Sequence, residues 1–306
     1  MNLTVLIATY NRKNLLKDCL IHLIDKADEL PDGVVVVVGG RDGSDEIVRK
    51  YQGTYPFFKL VEVENKSLGD SQNRGLPHCT GDIIATLDDD AFVFPDWAKM
   101  VKQAHVEHPE AGCIGGRIIN LYPQNLISRL ESHIGMPYDK GEGFYTRTVA
   151  GVSCTYKRKA MEEVGYFDET LPAGMDSDYN WRVLKAGYKV WFDPRIKMHH
   201  RNRTNLRGFL QQQTWYGRGY YLVRKKHADL YSAYPRNLKR WQDWVKLIWF
   251  MPGIFSEAIL SAKRTKSFKD KITFMNLLVL KEIWWRYGWV KQWSGEPKHR
   301  ANRIQP

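Results

Sequence analysis

An unbroken run of five valines at residues 34–38 constrains the fold of this chain more than any other feature. β-Branched residues favour extended structure, and a strand that is apolar on both faces must be covered on both sides. Residues 3–8, 59–63 and 82–87 indicate three more strands, and residues 15–24 place their apolar side chains on one helical face. Because strands alternate with helices, we expect an α/β fold with a mostly parallel mixed sheet.

The patterns beyond the fourth strand are weaker but still predict both kinds of element. Pro95 suits the first turn of a helix that runs to about residue 107. Further predicted helices span residues 69–77, 158–164 and 175–187, and further strands span residues 114–119, 149–156 and 188–192. Beyond residue 205 the chain becomes helical, basic and aromatic. We therefore expect a catalytic domain at 1–205, a helical region at 206–293 and a flexible tail at 294–306.

Cysteine usage and hydrophobic segments bear on the cellular compartment. The four cysteines form no CxxC pair, which argues against a disulfide scaffold or a zinc site. The apolar run at the N-terminus is too short for the core of a signal peptide. The best candidate for a membrane span, residues 245–262, contains Lys246, Glu257 and Pro252, and is too polar for that role. We expect a cytoplasmic protein.

Charge is divided unevenly along the chain. Residues 1–200 contain 24 basic and 28 acidic side chains, whereas residues 201–306 contain 22 basic and 6 acidic ones, with eight of the eleven tryptophans. Tryptophan prefers the membrane interface, and basic residues attract anionic lipid. The tail therefore favours peripheral attachment to the cytoplasmic face of an anionic membrane. The alternative is that its helices form a homo-oligomer interface.

Three adjacent carboxylates, Asp88, Asp89 and Asp90, follow the apolar strand at 82–87. Such carboxylates repel one another and cannot be buried without compensation. A divalent cation that also binds phosphate oxygens resolves the repulsion, whereas the alternative is a solvated acidic turn. Ligands of parallel α/β sheets bind beyond the carboxyl ends of the strands, so this position favours the cation site.

Two other strands end in polar clusters at the same expected edge. Residues 9–12 (TYNR) follow the first strand, and residues 41–44 (RDGS) follow the second. The first cluster matches neither the glycine-rich dinucleotide motif nor the P-loop. Thr9 and Asn11 offer hydrogen bonds to a base or a ribose, and alternatively one of them caps the following helix.

Asp176 and Asp178 open the predicted helix at 175–187. The helix dipole stabilises carboxylates at this position, which accounts for one of the two without any catalytic role. A general base must stay ionised at neutral pH and reach a substrate hydroxyl. A carboxylate at the start of a helix meets the first requirement.

His199 and His200 follow the strand predicted at 188–192. A neutral imidazole can complete an oxygen-rich metal site. The alternative is that the pair is polar surface.

Taken in order, these segments resemble the family 2 glycosyltransferases, which have a GT-A fold. VLIATYNR is similar to the family's opening strand and turn, and RDGSD is similar to its D-D-G-S-x-D turn, with Arg41 replacing the first acid. SLGDSQNRGL resembles the nucleotide-contacting A-R-N-x-G segment, with Gln72 at the arginine position. LDDDAFVFPDW resembles the D-x-D segment, GMDSDYNWRV resembles G-E-D-x-D-L-x-x-R-L, and MHHRN resembles the end of the catalytic domain. The resemblance covers residues 3–205.

The resemblance implies a metal-dependent, inverting transfer of a sugar from a UDP-, GDP- or dTDP-sugar to a hydroxyl of a lipid-linked or glycan acceptor. It implies Mn²⁺ or Mg²⁺ held by Asp90, with His199 or His200 as a further ligand. Asp176 matches the family's catalytic base, with Asp178 as the next candidate. The implied nucleotide-binding residues are Thr9, Tyr10, Arg12, Asp42, Asn73, Asp88 and Asp89, and Asp88 would contact the ribose or, through water, the metal.

Two other functions compete with this interpretation. A sugar nucleotidyltransferase should carry a Gly- and Arg-rich phosphate loop after its first strand, where this chain has TYNRKN. A nucleic-acid-binding protein could use the basic aromatic tail, because such stripes bind single strands. The expected partners remain a nucleotide sugar, a lipid-linked or glycan acceptor and an anionic membrane surface, with nucleic acid the weaker alternative.

Overall fold

The computed structural model describes residues 1–64, 66–135, 141–249 and 268–295. Within these ranges the chain forms two compact units. The first comprises the described parts of Met1–Leu121, Tyr138–Thr170 and Met175–Arg201. The second comprises the described parts of Tyr122–Pro137, Leu171–Gly174 and Asn202–Pro306.

Nine strands and ten α-helices occur in the described ranges. The strands are β1 Leu3–Thr9, β2 Gly33–Val38, β3 Phe58–Glu62, β4 Ile83–Asp88, β5 Ala91–Val93, β6 Ala111–Asn120, β7 Phe144–Thr146, β8 Ser153–Lys157 and β9 Lys189–His200. The helices are α1 Lys13–Leu20, α2 Ser44–Thr54, α3 Leu68–Gly75, α4 Trp97–Glu107, α5 Leu126–Gly135, α6 Arg158–Val164, α7 Met175–Lys185, α8 Leu206–Lys226, α9 Trp241–Trp249 and α10 Phe268–Trp293. A π-helical turn, Ile21–Asp25, continues α1, and a 3₁₀ turn, Leu76–His78, follows α3.

All the described strands belong to one mixed sheet in the first unit, with the order β3-β2-β1-β4-β8-β6-β9-β5 and with β7 paired to β9. β1, β2, β3 and β4 are mutually parallel, and β6 and β9 run the same way because β8 is antiparallel to both β4 and β6. Only β5, β7 and β8 run in the opposite direction. Six of the nine strands therefore share one direction, as the sequence predicts.

The strand register brings three carboxyl ends together. Ala8 lies beside Val37 of β2 on one side and beside Asp88 of β4 on the other. The valines of β2 are buried, as a strand covered on both faces requires. The polar residues that follow β1, β2 and β4 thus begin at one edge of the sheet.

The second unit is built from helices, and α8 packs closely against α10. A Cβ atom added to Gly217 would lie 1.8 Å from the carbonyl oxygen of Trp285, and one added to Gly288 would lie 2.0 Å from that of Thr214. The two glycines therefore allow the backbones to touch. Two apolar clusters flank this contact; their buried members are Leu130, Phe209, Phe274, Leu277 and Leu278 in one and Tyr221, Leu238, Leu247 and Trp289 in the other.

Several expected boundaries need correction. β9 continues to His200, because its last residues pair with β5 and β6, so both histidines lie within a strand rather than after one. α4 begins at Trp97, with Asp96 as its N-cap, and Pro95 precedes it. The strand expected at 149–156 begins only at Ser153.

The tail helices agree in part with the sequence. α8, α9 and α10 all lie within the helical region expected at 206–293. Residues 250–267 of that region lie outside the described residues, as do 296–306 of the expected flexible tail. None of the described helices combines the length and the apolar character needed to cross a bilayer.

Candidate active site

Asp88, Asp89 and Asp90 lie at the end of β4, where Arg12 meets two of them. Arg12 Nη1 contacts Asp89 Oδ1 at 2.7 Å, and Nη2 donates a hydrogen bond to Asp90 Oδ2. Thr9 Oγ1 donates to the other oxygen of Asp89 at 2.7 Å. The turn after β1 therefore holds two carboxylates of the acidic cluster directly.

Asp88, Asp90 and His200 form the group of side chains best placed to hold a metal ion. Their ligand atoms all lie within 4.8 Å of one another, and His200 Nε2 is 3.5 Å from Asp90 Oδ1. Asp90 sits on the β4–β5 turn, and Ala91 of β5 pairs with His200 of β9. Two carboxylates and an imidazole form an oxygen-rich donor set that suits Mn²⁺ better than a thiophilic metal.

The two histidines have different surroundings, since adjacent strand residues point to opposite faces. His199 stacks on Phe94, with ring centroids 5.1 Å apart, and its buried Nδ1 has no hydrogen-bond partner among the described residues. The sequence leaves open which histidine is a ligand, and the structure places only His200 with the carboxylates.

The acidic cluster has strongly perturbed ionisation. Burial, together with the charge of Asp90, raises the pKa of Asp88 to about 8. Burial also opposes ionisation of Asp90, but His200 and Arg12 outweigh it and lower the pKa of that carboxyl. Asp90 therefore stays ionised beside Arg12 and His200. Asp88 needs additional positive charge nearby to ionise at neutral pH.

The turns after β1 and β2 are tied together by Asp42 and Asn11. Asp42 Oδ2 accepts a hydrogen bond from the backbone N–H of Lys13 at 2.7 Å, and its other oxygen accepts from Ser44 Oγ at 2.6 Å. Asn11 Oδ1 accepts from the backbone N–H of Arg41 at 3.1 Å. Burial opposes ionisation of Asp42, but the hydrogen bonds from Ser44 and Lys13 outweigh burial, so the pKa of Asp42 is lowered.

The alternative interpretation, in which Thr9 or Asn11 caps the following helix, is wrong. Arg12 occupies the N-cap position of α1 without a side-chain cap bond, so neither Thr9 nor Asn11 caps that helix. The first N–H of α1 is instead satisfied by Asp42, which lies 29 residues further along the chain. Short-range capping rules cannot find a partner at this distance. Tyr10 is half-buried in the same turn.

Asn73 lies on α3 and uses its amide to hold a loop. Its Nδ2 donates to the Phe167 carbonyl oxygen at 3.0 Å and to Glu169 Oε1 at 2.8 Å, while its Oδ1 accepts from the Phe167 N–H at 2.9 Å. The described contacts of Asn73 thus position the 165–170 segment.

Asp176 lies in the first turn of α7. Its Oδ2 accepts a hydrogen bond from the Gly151 N–H at 3.1 Å, and its Oδ1 accepts from the Ser177 N–H at 2.8 Å. The next residue, Val152, accepts a hydrogen bond from the Asp88 N–H at 3.1 Å. Two consecutive residues therefore link Asp176 to the end of β4. Burial raises the pKa of Asp176, partly offset by the two N–H donors.

Asp178 has a different environment from Asp176. It is fully buried and pairs with Arg182 Nε at 3.0 Å. The same guanidinium donates to the carbonyl oxygens of Val164 and Tyr166, each at 3.0 Å. This arrangement joins α7 to the segment after α6, so Asp178 and Arg182 serve the packing of the unit.

Sequence reasoning missed the 151–152 segment. Gly151 is at once a hydrogen-bond donor to Asp176 and a close neighbour of it, since an added Cβ would lie 3.2 Å from the Asp176 Cβ. The only sequence signal is a small residue before the strand β8, which is too common to assign a role.

This chain is similar to known glycosyltransferases. The family model described as glycosyl transferase family 2 matches residues 4–165. The pre-mycofactocin glycosyltransferase of Mycobacterium tuberculosis (strain ATCC 25618 / H37Rv) is 27% identical over 177 residues, which are 56% of this chain and 37% of that protein. This chain thus spans little more than a third of the length of that relative.

Two further proteins match over most of this chain. The dolichyl N-acetyl-alpha-D-glucosaminyl phosphate 3-beta-D-2,3-diacetamido-2,3-dideoxy-beta-D-glucuronosyltransferase of Methanococcus voltae is 23% identical over 251 residues, 76% of this chain and 77% of that protein. The second is the mannosyltransferase PcManGT from Pyrobaculum calidifontis, whose structure was solved with GDP-Man and Mn²⁺. The structural alignment covers 97% of this chain and 88% of that protein, with 19% identity and a TM-score of 0.66. The structural likeness confirms the expected α/β fold of GT-A type.

Proposed function

Because this chain belongs to glycosyl transferase family 2, we propose that it moves a sugar from a nucleoside diphosphate donor to an acceptor hydroxyl, with inversion at the anomeric carbon. One observation carries the proposal. The Asp88–Asp90–His200 group and Asp176 are joined through the 151–152 segment at one edge of the sheet. This link supports a charge-stabilising site and a candidate base that would act together at this edge of the sheet.

Asp88, Asp90 and His200 would hold a divalent cation, for which Mn²⁺ fits the donor set best. When bound, such a cation supplies positive charge that stabilises the departing diphosphate. The perturbed ionisation of Asp88 supports this assignment, because the carboxyl needs a nearby cation to ionise fully at neutral pH.

Asp176 would take the proton from the acceptor hydroxyl as its oxygen attacks the anomeric carbon. The two N–H donors fix the orientation of the carboxylate, and each of its oxygens retains acceptor capacity for a hydroxyl proton. A pKa raised by burial makes this carboxylate a stronger base for the hydroxyl proton. Asp178 is the weaker candidate because it is buried against Arg182.

The nucleotide would bind over the turns that follow β1 and β2. Thr9, Tyr10 and Arg12 lie on the first turn and Asp42 on the second, and Asp89 orients Thr9 and Arg12. Asn73 is proposed as a further nucleotide-binding residue from the family resemblance, and its amide also holds the 165–170 segment. UDP-, GDP- and dTDP-sugars all remain candidates for the donor.

The donor is identified by a thermal-shift screen of UDP-, GDP- and dTDP-sugars, each with and without Mn²⁺. We expect one class to raise the melting temperature only when Mn²⁺ is present. Asp90→Asn should abolish that shift, whereas Asp18→Asn, which changes an exposed carboxylate of α1, should retain it. Absence of any Mn²⁺-dependent shift in the wild-type chain would contradict the proposed donor site.

The acceptor is proposed to be lipid-linked or a glycan, at an anionic membrane. The name of the Methanococcus voltae relative describes transfer to a dolichyl-linked sugar phosphate. The helix α9 supports attachment to a membrane. Its residues Trp241, Val245 and Ile248 share one helical face and are 73%, 42% and 60% exposed. Lys239, Arg240 and Lys246 are exposed near this face. An exposed apolar face bordered by cations is typical of a helix that lies in the membrane interface.

Cosedimentation with anionic liposomes at low salt tests this attachment. The double variant Trp241→Gln with Ile248→Gln should bind about tenfold more weakly or worse, because it removes two large apolar side chains from the bilayer. Val106→Gln is the matched control, since Val106 is 64% exposed on α4 of the first unit. Equal binding of the double variant and the control would contradict the assignment. A dimer that only the double variant disrupts would show that the face is an oligomer interface.

A further inference from the structure

Arg12 contacts the same carboxylate that is proposed to hold the cation. Its Nη2 donates to Asp90 Oδ2, while His200 lies 3.5 Å from the other oxygen of Asp90. Both oxygens of the central carboxylate are therefore engaged by cationic or potentially cationic groups. A divalent cation that binds Asp90 through Oδ2 competes with this guanidinium nitrogen for the same oxygen.

From these contacts we propose that Arg12 is an exchangeable latch, which rests on Asp90 before the donor binds and moves to the donor diphosphate when the cation takes its place. This inference rests on the proposed function, because it requires the donor diphosphate to bind at the same edge. It makes Arg12 the residue that couples binding of the cation to binding of the nucleotide.

The position of Arg12 allows such an exchange without unfolding the turn. Its second nitrogen, Nη1, contacts Asp89 at 2.7 Å, so Arg12 keeps one carboxylate partner when Nη2 releases Asp90. The side chain is 30% exposed, so a ligand above the edge can reach it. Arg12 is the N-cap residue of α1 and makes no side-chain cap bond there, and the backbone N–H of Lys13 already donates to Asp42. Movement of the Arg12 side chain therefore removes no cap of α1.

The chemistry favours a phosphate as the second partner of Arg12. A guanidinium presents paired N–H donors that match phosphate oxygens as well as they match a carboxylate. The cation neutralises Asp90 as Arg12 leaves it, and the diphosphate receives the charge of Arg12. Neither exchange leaves a charged group without an opposite charge, so each ligand makes the binding of the other more favourable.

Variants at Arg12 and Lys13 separate this exchange from a simple charge effect. Arg12→Gln removes the guanidinium, whereas Arg12→Lys keeps the positive charge but loses the paired N–H donors. Lys13→Gln removes one positive charge at the neighbouring residue. The Lys13 side chain contacts Glu46 at 3.1 Å, so it is paired with a different carboxylate. Binding of Mn²⁺ alone is followed by the electron paramagnetic resonance signal of the unbound ion, and binding of UDP or GDP alone by calorimetry.

The latch predicts opposite effects on the two ligands. Without nucleotide, Arg12→Gln should bind Mn²⁺ about tenfold more tightly than the wild type, because a charge-assisted hydrogen bond no longer competes. Without metal, the same variant should bind the nucleoside diphosphate about tenfold more weakly, because it lacks the guanidinium. Lys13→Gln should change Mn²⁺ binding much less than Arg12→Gln, and Arg12→Lys should fall between Arg12→Gln and the wild type.

Other outcomes overturn the inference. If Arg12 only holds the carboxylates in place for the metal, Arg12→Gln will weaken Mn²⁺ binding. If Arg12→Gln and Lys13→Gln changed Mn²⁺ binding equally, the loss of one positive charge would explain both results, and no exchange at Arg12 would be needed. Failure of the wild type and every variant to bind Mn²⁺ would overturn the proposed metal site as well, whereas normal Mn²⁺ binding that is insensitive to Arg12 would overturn the latch alone.

Discussion

The two units of this chain use charge in opposite ways. In the first unit, acidic side chains are gathered at one edge of a buried sheet and are held by Arg12, His200 and backbone N–H groups. In the second unit, cationic side chains are plentiful, and apolar residues of α9 are exposed beside them. The contrast supports the proposed division of tasks, since carboxylates held in fixed positions suit chemistry and an exposed basic surface suits attachment to an anionic membrane.

The sharpest way to test this division is to remove the candidate base alone. Asp176→Asn should lower the rate of sugar transfer at least about a hundredfold, because an amide cannot accept the hydroxyl proton. Donor binding and liposome binding should stay near wild type, since neither depends on that proton transfer. Steady-state transfer assays and donor titrations measure the effect.

Asp178→Asn provides the comparison for this variant. It breaks the buried pair with Arg182 and should mainly lower the stability of the first unit. A larger loss of transfer in folded Asp178→Asn than in Asp176→Asn would reassign the base.

The second prediction contrasts a helical glycine in each unit. Gly217→Ala should destabilise the chain by about 1–3 kcal/mol, because its Cβ would meet the α10 backbone at 1.8 Å. Gly53→Ala in α2 has nothing within 4 Å of its added Cβ. It should be neutral or stabilise by up to about 1 kcal/mol through helix propensity.

Urea unfolding of the full chain measures both changes. A stabilising Gly217→Ala variant would show that α8 and α10 do not require direct backbone contact, and would weaken the description of the second unit.

The last prediction concerns the effect of pH on the stability of the first unit. Burial, together with the positive charge of Lys157, lowers the pKa of His105 from 6.5 to about 3. The His105 Nε2 lies 2.9 Å from Thr155 Oγ1, and its Nδ1 has no hydrogen-bond partner among the described residues. The pKa is lowered on folding, so the contribution of neutral His105 to stability is complete above pH 6.5 and is lost as pH falls towards 3.

This loss should reach at most about 1.4 kcal/mol for each pH unit. Denaturation between pH 7 and pH 5 should therefore show a gentler decline for His105→Gln than for the wild type. Parallel declines in the two proteins would assign the acid sensitivity to other groups.

The same contrast explains what the sequence can predict. Asp88, Asp89 and Asp90 stand out because they directly follow an apolar strand, and parallel topology then brings Thr9 and Asp42 to the same edge. These inferences need only local pattern and the rule for strand ends. The family resemblance adds Asp176, which the residues alone cannot distinguish from Asp178.

Long-range contacts account for what the sequence could not predict. The choice between His199 and His200 depends on β9 continuing into its pairing with β5, which no local pattern indicates. The link from Asp176 through Gly151 and Val152 to Asp88 joins residues that are far apart in the chain. The closeness of α8 and α10 likewise depends on which glycines face each other.

The configuration of the first product is the most direct test of the proposed chemistry. After a single turnover with the donor identified by the screen, proton NMR of the new glycosidic bond reports the configuration at the anomeric carbon. In-line attack assisted by one base predicts inversion, so an α-linked donor should yield a β-linked product. A product that retains the α configuration, or release of the sugar to water alone when acceptor is present, would contradict the proposal.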